Sequence, residues 1–146
     1  MDNKVKSKTR LAAVQVIFQN LINKKKLKNI KDEFDNYYKN TTLEVHGDKV
    51  QYNGNFLSKL IDYYDRTLLI FDFNIEINKY LKFDRSFEKW DFINKAIMMM
   101  AISELKNCDK NKSKIIINEY IELSKLFLNL QDTKIINAVL DKFIND

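Results

Sequence analysis

The chain has no proline and only two glycines, Gly47 and Gly54. A β-sandwich needs many tight turns, and these two residues build them, so their scarcity excludes that architecture and favours helices joined by polar loops. Cysteine is limited to Cys108, so no internal disulfide can form. Its neighbours are Asn107 and Asp109, and an acidic neighbour disfavours a reactive thiolate. Histidine is limited to His46. Any Ser–His or Cys–His catalytic pair would have to use it, yet it falls in a predicted loop beside Gly47, where a solvent-exposed histidine is the expected reading. No Cys/His cluster has zinc-ligand spacing, and neither glycine precedes the Lys–Ser/Thr pair of a phosphate loop. The expectation is therefore no catalytic residue, no metal and no cofactor. No apolar run approaches the ~20 residues that cross a bilayer. The first ten residues are too polar for a signal peptide. A cytoplasmic protein with no membrane contact is expected.

Arginine is also scarce, with only Arg10, Arg66 and Arg85 against abundant lysine, asparagine and isoleucine. That pattern reads as nucleotide bias in the coding sequence, so the number of lysines says little. Their placement says more. Residues 1–31 hold nine basic side chains and one acid, a net of +8, whereas the other residues hold 16 basic and 19 acidic ones, a net of −3. A basic end on a mildly acidic body is the electrostatic footprint of a polyanion binder. The same pattern suits a merely solvated lysine-rich terminus. The length of 146 residues and 45% hydrophobic content fit one compact domain, or two small bundles sharing an interface.

Hydrophobic periodicity predicts about seven helices. The first runs from about Lys4 to Ile22, with Leu11, Val14, Phe18 and Leu21 inward and Lys8, Gln15 and Gln19 on the opposite face. The second spans Ile30 to Tyr38, burying Ile30, Phe34 and Tyr37 or Tyr38. Leu43 to Asn55 reads as a loop with a weak strand-like alternation around His46-Gly47-Asp48. Further helices are expected at about Gly54–Phe71, Asn74–Lys82, Phe87–Asn107 capped by Ser86, Ser113–Leu128 burying Phe127, and Thr133–Ile144 capped by Asp132. Of Met98, Met99 and Met100, one or two should be core, with Met99 at the surface. The expected class is all-α: two packed helical subdomains, residues 1–73 and 74–146.

Three segments carry more than periodicity. Residues 117–125 read Ile-Asn-Glu-Tyr-Ile-Glu-Leu-Ser-Lys, and Ile136-Asn137-Ala138-Val139-Leu140-Asp141 follows after a short turn. Lys6-Ser7-Lys8-Thr9-Arg10 leads into Ala12-Ala13-Val14-Gln15-Val16-Ile17-Phe18. Asn94-Lys95-Ala96-Ile97 continues to Ala101-Ile102-Ser103-Glu104-Leu105. Together they resemble the NusB family of bacterial transcription antitermination factors. That family has an Ile-Asn-Glu-x-Ile-Glu-Leu-x-Lys helix before a Phe-x-Asn-Gly-Val-Leu-Asp helix. It opens with an arginine-rich segment ahead of Ala-x-Gln-x-Leu-Tyr. Here lysine replaces most of that arginine, Met99 stands at the arginine of the middle motif, Ala138 and Leu128 stand at glycines, and Gln131 stands at an acidic position.

The resemblance implies an all-helical, non-enzymatic RNA-binding factor. Its family partner is NusE, a small-subunit ribosomal protein. The pair recognises the boxA element of ribosomal RNA leaders within the RNA polymerase antitermination complex, supporting rRNA transcription. Some members of the family self-associate into homodimers. Lys6, Lys8 and Arg10 are the expected phosphate contacts. Gln15, Gln131 and Lys134 are polar candidates for reading unpaired bases, which takes hydrogen bonds and stacking more than charge. The NusE surface would include Lys89, Asn94 and Lys95, left exposed by the inward stripe. Asn118, Glu119 and Glu122, with Glu104 and Asp141, are expected to be buried or half-buried structural groups. Two alternatives stay open: a relative of the NusB-like domain that precedes rRNA cytosine methyltransferases, disfavoured because no methyltransferase follows Asp146, and a helical protein-interaction module with no RNA role.

Overall fold

The computed structural model describes residues 1–38, 43–45, 48–82 and 85–146. Among these, seven α-helices account for most of the chain: α1 Asn3–Asn23, α2 Leu27–Tyr38, α3 Gly54–Ile70, α4 Phe73–Asn78, α5 Phe92–Lys106, α6 Ser113–Ser124 and α7 Leu130–Ile144. Between α2 and α3 a short antiparallel hairpin pairs β1 (Leu43–Val45) with β2 (Asp48–Val50), Leu43 opposite Val50. The alternation around His46 thus does form strands, while His46 itself, with Thr41 and Thr42, lies outside the described residues, as do the side chains of Tyr37 and Tyr38. The architecture is all-α with this one hairpin appended.

Helix starts follow from short polar side chains that accept a first-turn amide. Asp2 accepts from Val5 N at 2.9 Å, Asn53 from Phe56 N at 2.8 Å and Asp72 from Ile75 N at 3.1 Å. At α7 the cap is Asn129, which accepts from Asp132 N at 2.8 Å, so the helix starts at Leu130, three residues before the expected Thr133. The α5 boundary differs as well. Ser86 makes no capping bond; a 3-10 turn over Phe87–Lys89 buries Phe87, Trp90 is extended, and α5 starts only at Phe92. The helix expected to run to Leu128 stops at Ser124, whose hydroxyl donates to Ile121 O at 2.7 Å, and Phe127 is left exposed.

One continuous apolar core runs through the molecule. Its axis is α5, which touches α1, α3, α6 and α7. From Ala96 to Leu105 every residue of α5 is buried, including all three methionines. Met99 is therefore not a surface residue: a helix enclosed on all sides has no polar face. The same holds for the middle of α1, where Lys8 to Val14 are consecutively buried. Lys8, expected on the solvent face, is fully enclosed. The most extensive helix pair is α1 with α5, which brings the two sequence halves into one core. No helix among the described residues is long and apolar enough to cross a membrane.

Candidate nucleic-acid interface

The start of α1 is fastened to two other helices by polar bonds. Ser7 Oγ donates to Glu119 Oε2 of α6 at 2.8 Å. One turn later Arg10 forks onto Glu104 of α5, Nε to Oε1 at 2.9 Å and Nη2 to Oε2 at 2.7 Å. Tyr120 of α6 donates its hydroxyl to the same Oε1 at 2.7 Å. Arg10, Glu104 and Tyr120 are all buried. Burial alone would lower the Arg10 pKa, but the Glu104 hydrogen bonds and charge more than reverse this and keep the guanidinium charged. Burial also pushes the Tyr120 hydroxyl well up, so it remains a donor.

This geometry revises the expected phosphate contacts. Lys8 is enclosed and cannot meet a phosphate, while Arg10, only 8% exposed at the wall of the groove onto which Lys6 opens, has its charge already matched by the Glu104 carboxylate. Lys6 is half-exposed. It opens onto a groove of about 690 Å³ between the start of α1, the start of α3 and the α5–α6 corner. The groove is also lined by Lys59 and Lys112, both exposed, and by Phe56, Tyr63 and Ile115. Lys59 Nζ lies 5.9 Å from the Tyr63 ring centre, and Arg66 Cζ lies 5.3 Å from it. Cations interleaved with an aromatic ring suit a polyanion that also carries flat rings. Sequence reasoning missed Lys59, Tyr63 and Lys112. The i, i+4 spacing of Lys59 and Tyr63 was visible, but nothing in a lysine-rich chain tied that pair to Lys6.

The other expected site residues are dispersed. Gln15 is half-buried on α1, while Gln131 and Lys134 are exposed on α7. Lys89 is exposed in the 3-10 turn. Lys95 is half-buried, its Nζ 5.5 Å from the Phe92 ring centre. It borders an apolar groove of about 640 Å³ with Leu21, Leu68, Ile70, Phe71 and Met99. Leu69 beside it is 84% exposed. Asn94 is not exposed as expected: it is buried and donates through Nδ2 to Asp132 Oδ2 at 3.3 Å, because the start of α7 covers it. Asn118 is exposed, Glu122 meets Lys125 Nζ at 2.9 Å on the surface, and Asp141 is exposed, so of the five structural polar groups only Glu104 is deeply buried.

No group of three His, Cys, Asp or Glu among the described residues could hold a metal. Burial pushes the Cys108 thiol up, which keeps it protonated. For Glu119, half-buried and bonded to Ser7, replacement by alanine is expected to cost about 1 kcal/mol. That corresponds to a melting temperature lower by about 2–4 °C in a thermal unfolding scan. An unchanged melting temperature would show that the Ser7–Glu119 bond contributes nothing.

Arg10, Glu104 and Tyr120 come from the three separate sequence motifs, and the fold joins them in one network. The sequence profile of the NusB family matches residues 7–145. The chain belongs to the NusB family. It is 29% identical to the transcription antitermination protein NusB of Clostridium kluyveri over 153 residues, spanning 97% of this chain and 96% of that protein. The NusB of Rickettsia typhi is 27% identical over 152 residues, spanning 99% and 95%. Among solved structures, T. maritima NusB superposes with a TM-score of 0.72 at 19% identity, covering 96% of this chain and 90% of that one. A chain from the crystal structure of antitermination factors NusB and NusE in complex with dsRNA gives 0.77 at 14% identity, covering 99% and 98%. In this NusB-family chain the network ties the three motifs together: Arg10 of the N-terminal segment is held by Glu104 of the middle motif, which Tyr120, at a variable position of the C-terminal signature, also holds.

Proposed function

We propose that this chain is a transcription antitermination factor that binds boxA-type single-stranded RNA jointly with a NusE-type ribosomal protein. The observation that carries the reading is the groove whose lining brings Lys6, Lys59 and Lys112, against Glu104, Asp109 and Glu119, together with the Tyr63 ring that Lys59 flanks. Lysines at such a groove release counterions from a nucleic-acid backbone, and the ring offers a base a surface to stack on. The structural relative, which binds NusE together with dsRNA, supports the pairing with a NusE-type protein and with RNA. The protein works in the cytoplasm, within the antitermination complex of RNA polymerase, by binding and not by catalysis.

The NusE surface is assigned to the exposed apolar groove bordered by Lys95. Full-length chain, mixed with the NusE of its own organism and a boxA RNA, should elute as one complex. Lys95→Glu is expected to weaken NusE binding about 10-fold, since a like or misplaced charge at an interface rim is costly. Its thermal unfolding should match the unmodified chain. Wild-type NusE affinity in the Lys95→Glu chain would move the docking site elsewhere. Failure of the unmodified chain to bind either RNA or NusE would overturn the whole reading.

A further inference from the structure

A second cavity, about 430 Å³, opens between the start of α5 and the start of α7, away from the groove of the three lysines. Its volume is that of a small-molecule site. Trp90 lines one side and Ile135 and Ile136 line others. The indole is held in place twice: its Nε1 donates to Arg85 O at 2.9 Å, and Phe87 meets it edge-on at 5.0 Å. A ring fixed before the ligand arrives loses little entropy on stacking.

The polar lining is specific. Asn94 is oriented by its bond to Asp132 Oδ2, and Gln131 reaches the rim from the exposed side of α7. Asp91 adds a second carboxylate at the start of α5. Here the two carboxylates outnumber the single cation, Arg85, whereas cations outnumber carboxylates in the groove of the three lysines, so this cavity does not suit a run of nucleic-acid backbone. The two carboxylates accept hydrogen bonds, and together with two amides they match the edge of a ring that carries an amino group. Arg85 at the mouth can hold the phosphate attached to such a ring. A guanidinium from a protein partner would also stack on tryptophan and meet the carboxylates, but Arg85 would repel it.

Resting on the RNA-binding reading above, we propose that this cavity takes one unstacked nucleobase bearing an exocyclic amino group, with Trp90 as the stacking surface and Asp132, Asn94 and Gln131 reading its edge. Adenine, cytosine and guanine carry the amino group; uracil does not. Trp90 is the only tryptophan of the chain, so its emission reports this cavity alone. The test titrates the full chain with end-labelled hexamers of adenosine, cytidine or uridine, following label anisotropy and Trp90 emission in parallel. The adenosine and cytidine hexamers are expected to change Trp90 emission saturably and to bind about 10-fold more tightly than the uridine hexamer. Asp132→Asn keeps the size of the side chain and the Asn94 bond but exchanges an acceptor for a donor, and should abolish that preference. If hexamers bind by anisotropy while Trp90 emission stays constant, or if Asp132→Asn leaves the preference unchanged, the cavity is not the base site and the RNA-binding reading stands. If no hexamer binds at any salt concentration while the chain mixed with NusE still binds boxA RNA, the cavity proposal alone fails; if that mixture does not bind boxA RNA either, both readings fail. If N-acetyl-arginine amide changes Trp90 emission and the hexamers do not, the cavity receives a protein side chain and the proposal is overturned.

Discussion

Glu104→Ala should lower the melting temperature by about 10–15 °C, the largest effect expected of any polar substitution in this chain. Removing one partner of a buried ion pair costs about 3–5 kcal/mol, because the other charge stays in a low-dielectric site without compensation. In a domain of this size each kcal/mol moves the midpoint by about 2–4 °C. Here the stranded charge is Arg10, and the hydroxyl of Tyr120 loses its acceptor as well. Arg10→Ala should cost about as much. The double change Arg10→Met with Glu104→Leu should recover most of the loss, since a buried pair replaced by apolar groups of similar size is often close to neutral. Thermal unfolding of the two single variants and the double variant forms the cycle. A drop of less than about 3 °C for Glu104→Ala would mean that the network adds little to stability.

Replacing Lys6, Lys59 and Lys112 together by alanine should weaken RNA binding about 100-fold at 0.1 M salt and flatten the plot of log K against log salt by about two units. Each phosphate contact on a single strand contributes about 0.7 to that slope, so three lost contacts give about two, and the two lines should converge near 1 M. The control is Lys24, Lys25 and Lys26, exposed at the other end of α1 and equal in charge. Replacing those three should change binding only slightly. Equal losses from both triplets would reduce the effect to net charge and remove the groove from the RNA site.

Much of the fold was legible from the one-dimensional pattern. The seven helices and their order follow from hydrophobic periodicity. The failures share a cause: they depend on what another segment covers. Lys8 looks like a solvent residue until α1 is seen packed on several helices at once. Met99 and Asn94 look exposed until neighbouring helices close over α5. Asn129 and Asp132 are both good caps, and only the geometry of the α6–α7 turn selects the first. The proposed RNA groove was legible in part. Lys6 was recognisable from the basic segment, but Arg10 sits within the same segment and points into the core, where it pairs with a residue 94 positions away. No local rule separates those two roles.

The enclosure of α5 has a consequence for how the molecule opens. Backbone amides exchange hydrogen with water only when a local or global opening exposes them. The amides of Ala96 to Leu105 lie under α1, α3, α6 and α7, so no single helix can lift away and leave them accessible. Their exchange should follow complete unfolding, with protection equal to the full stability of the domain. Those at the exposed end of α3, around Leu69, should exchange far sooner. A chain cut between α4 and α5 would leave neither fragment with a covered axis, and the two should hold their fold only when mixed.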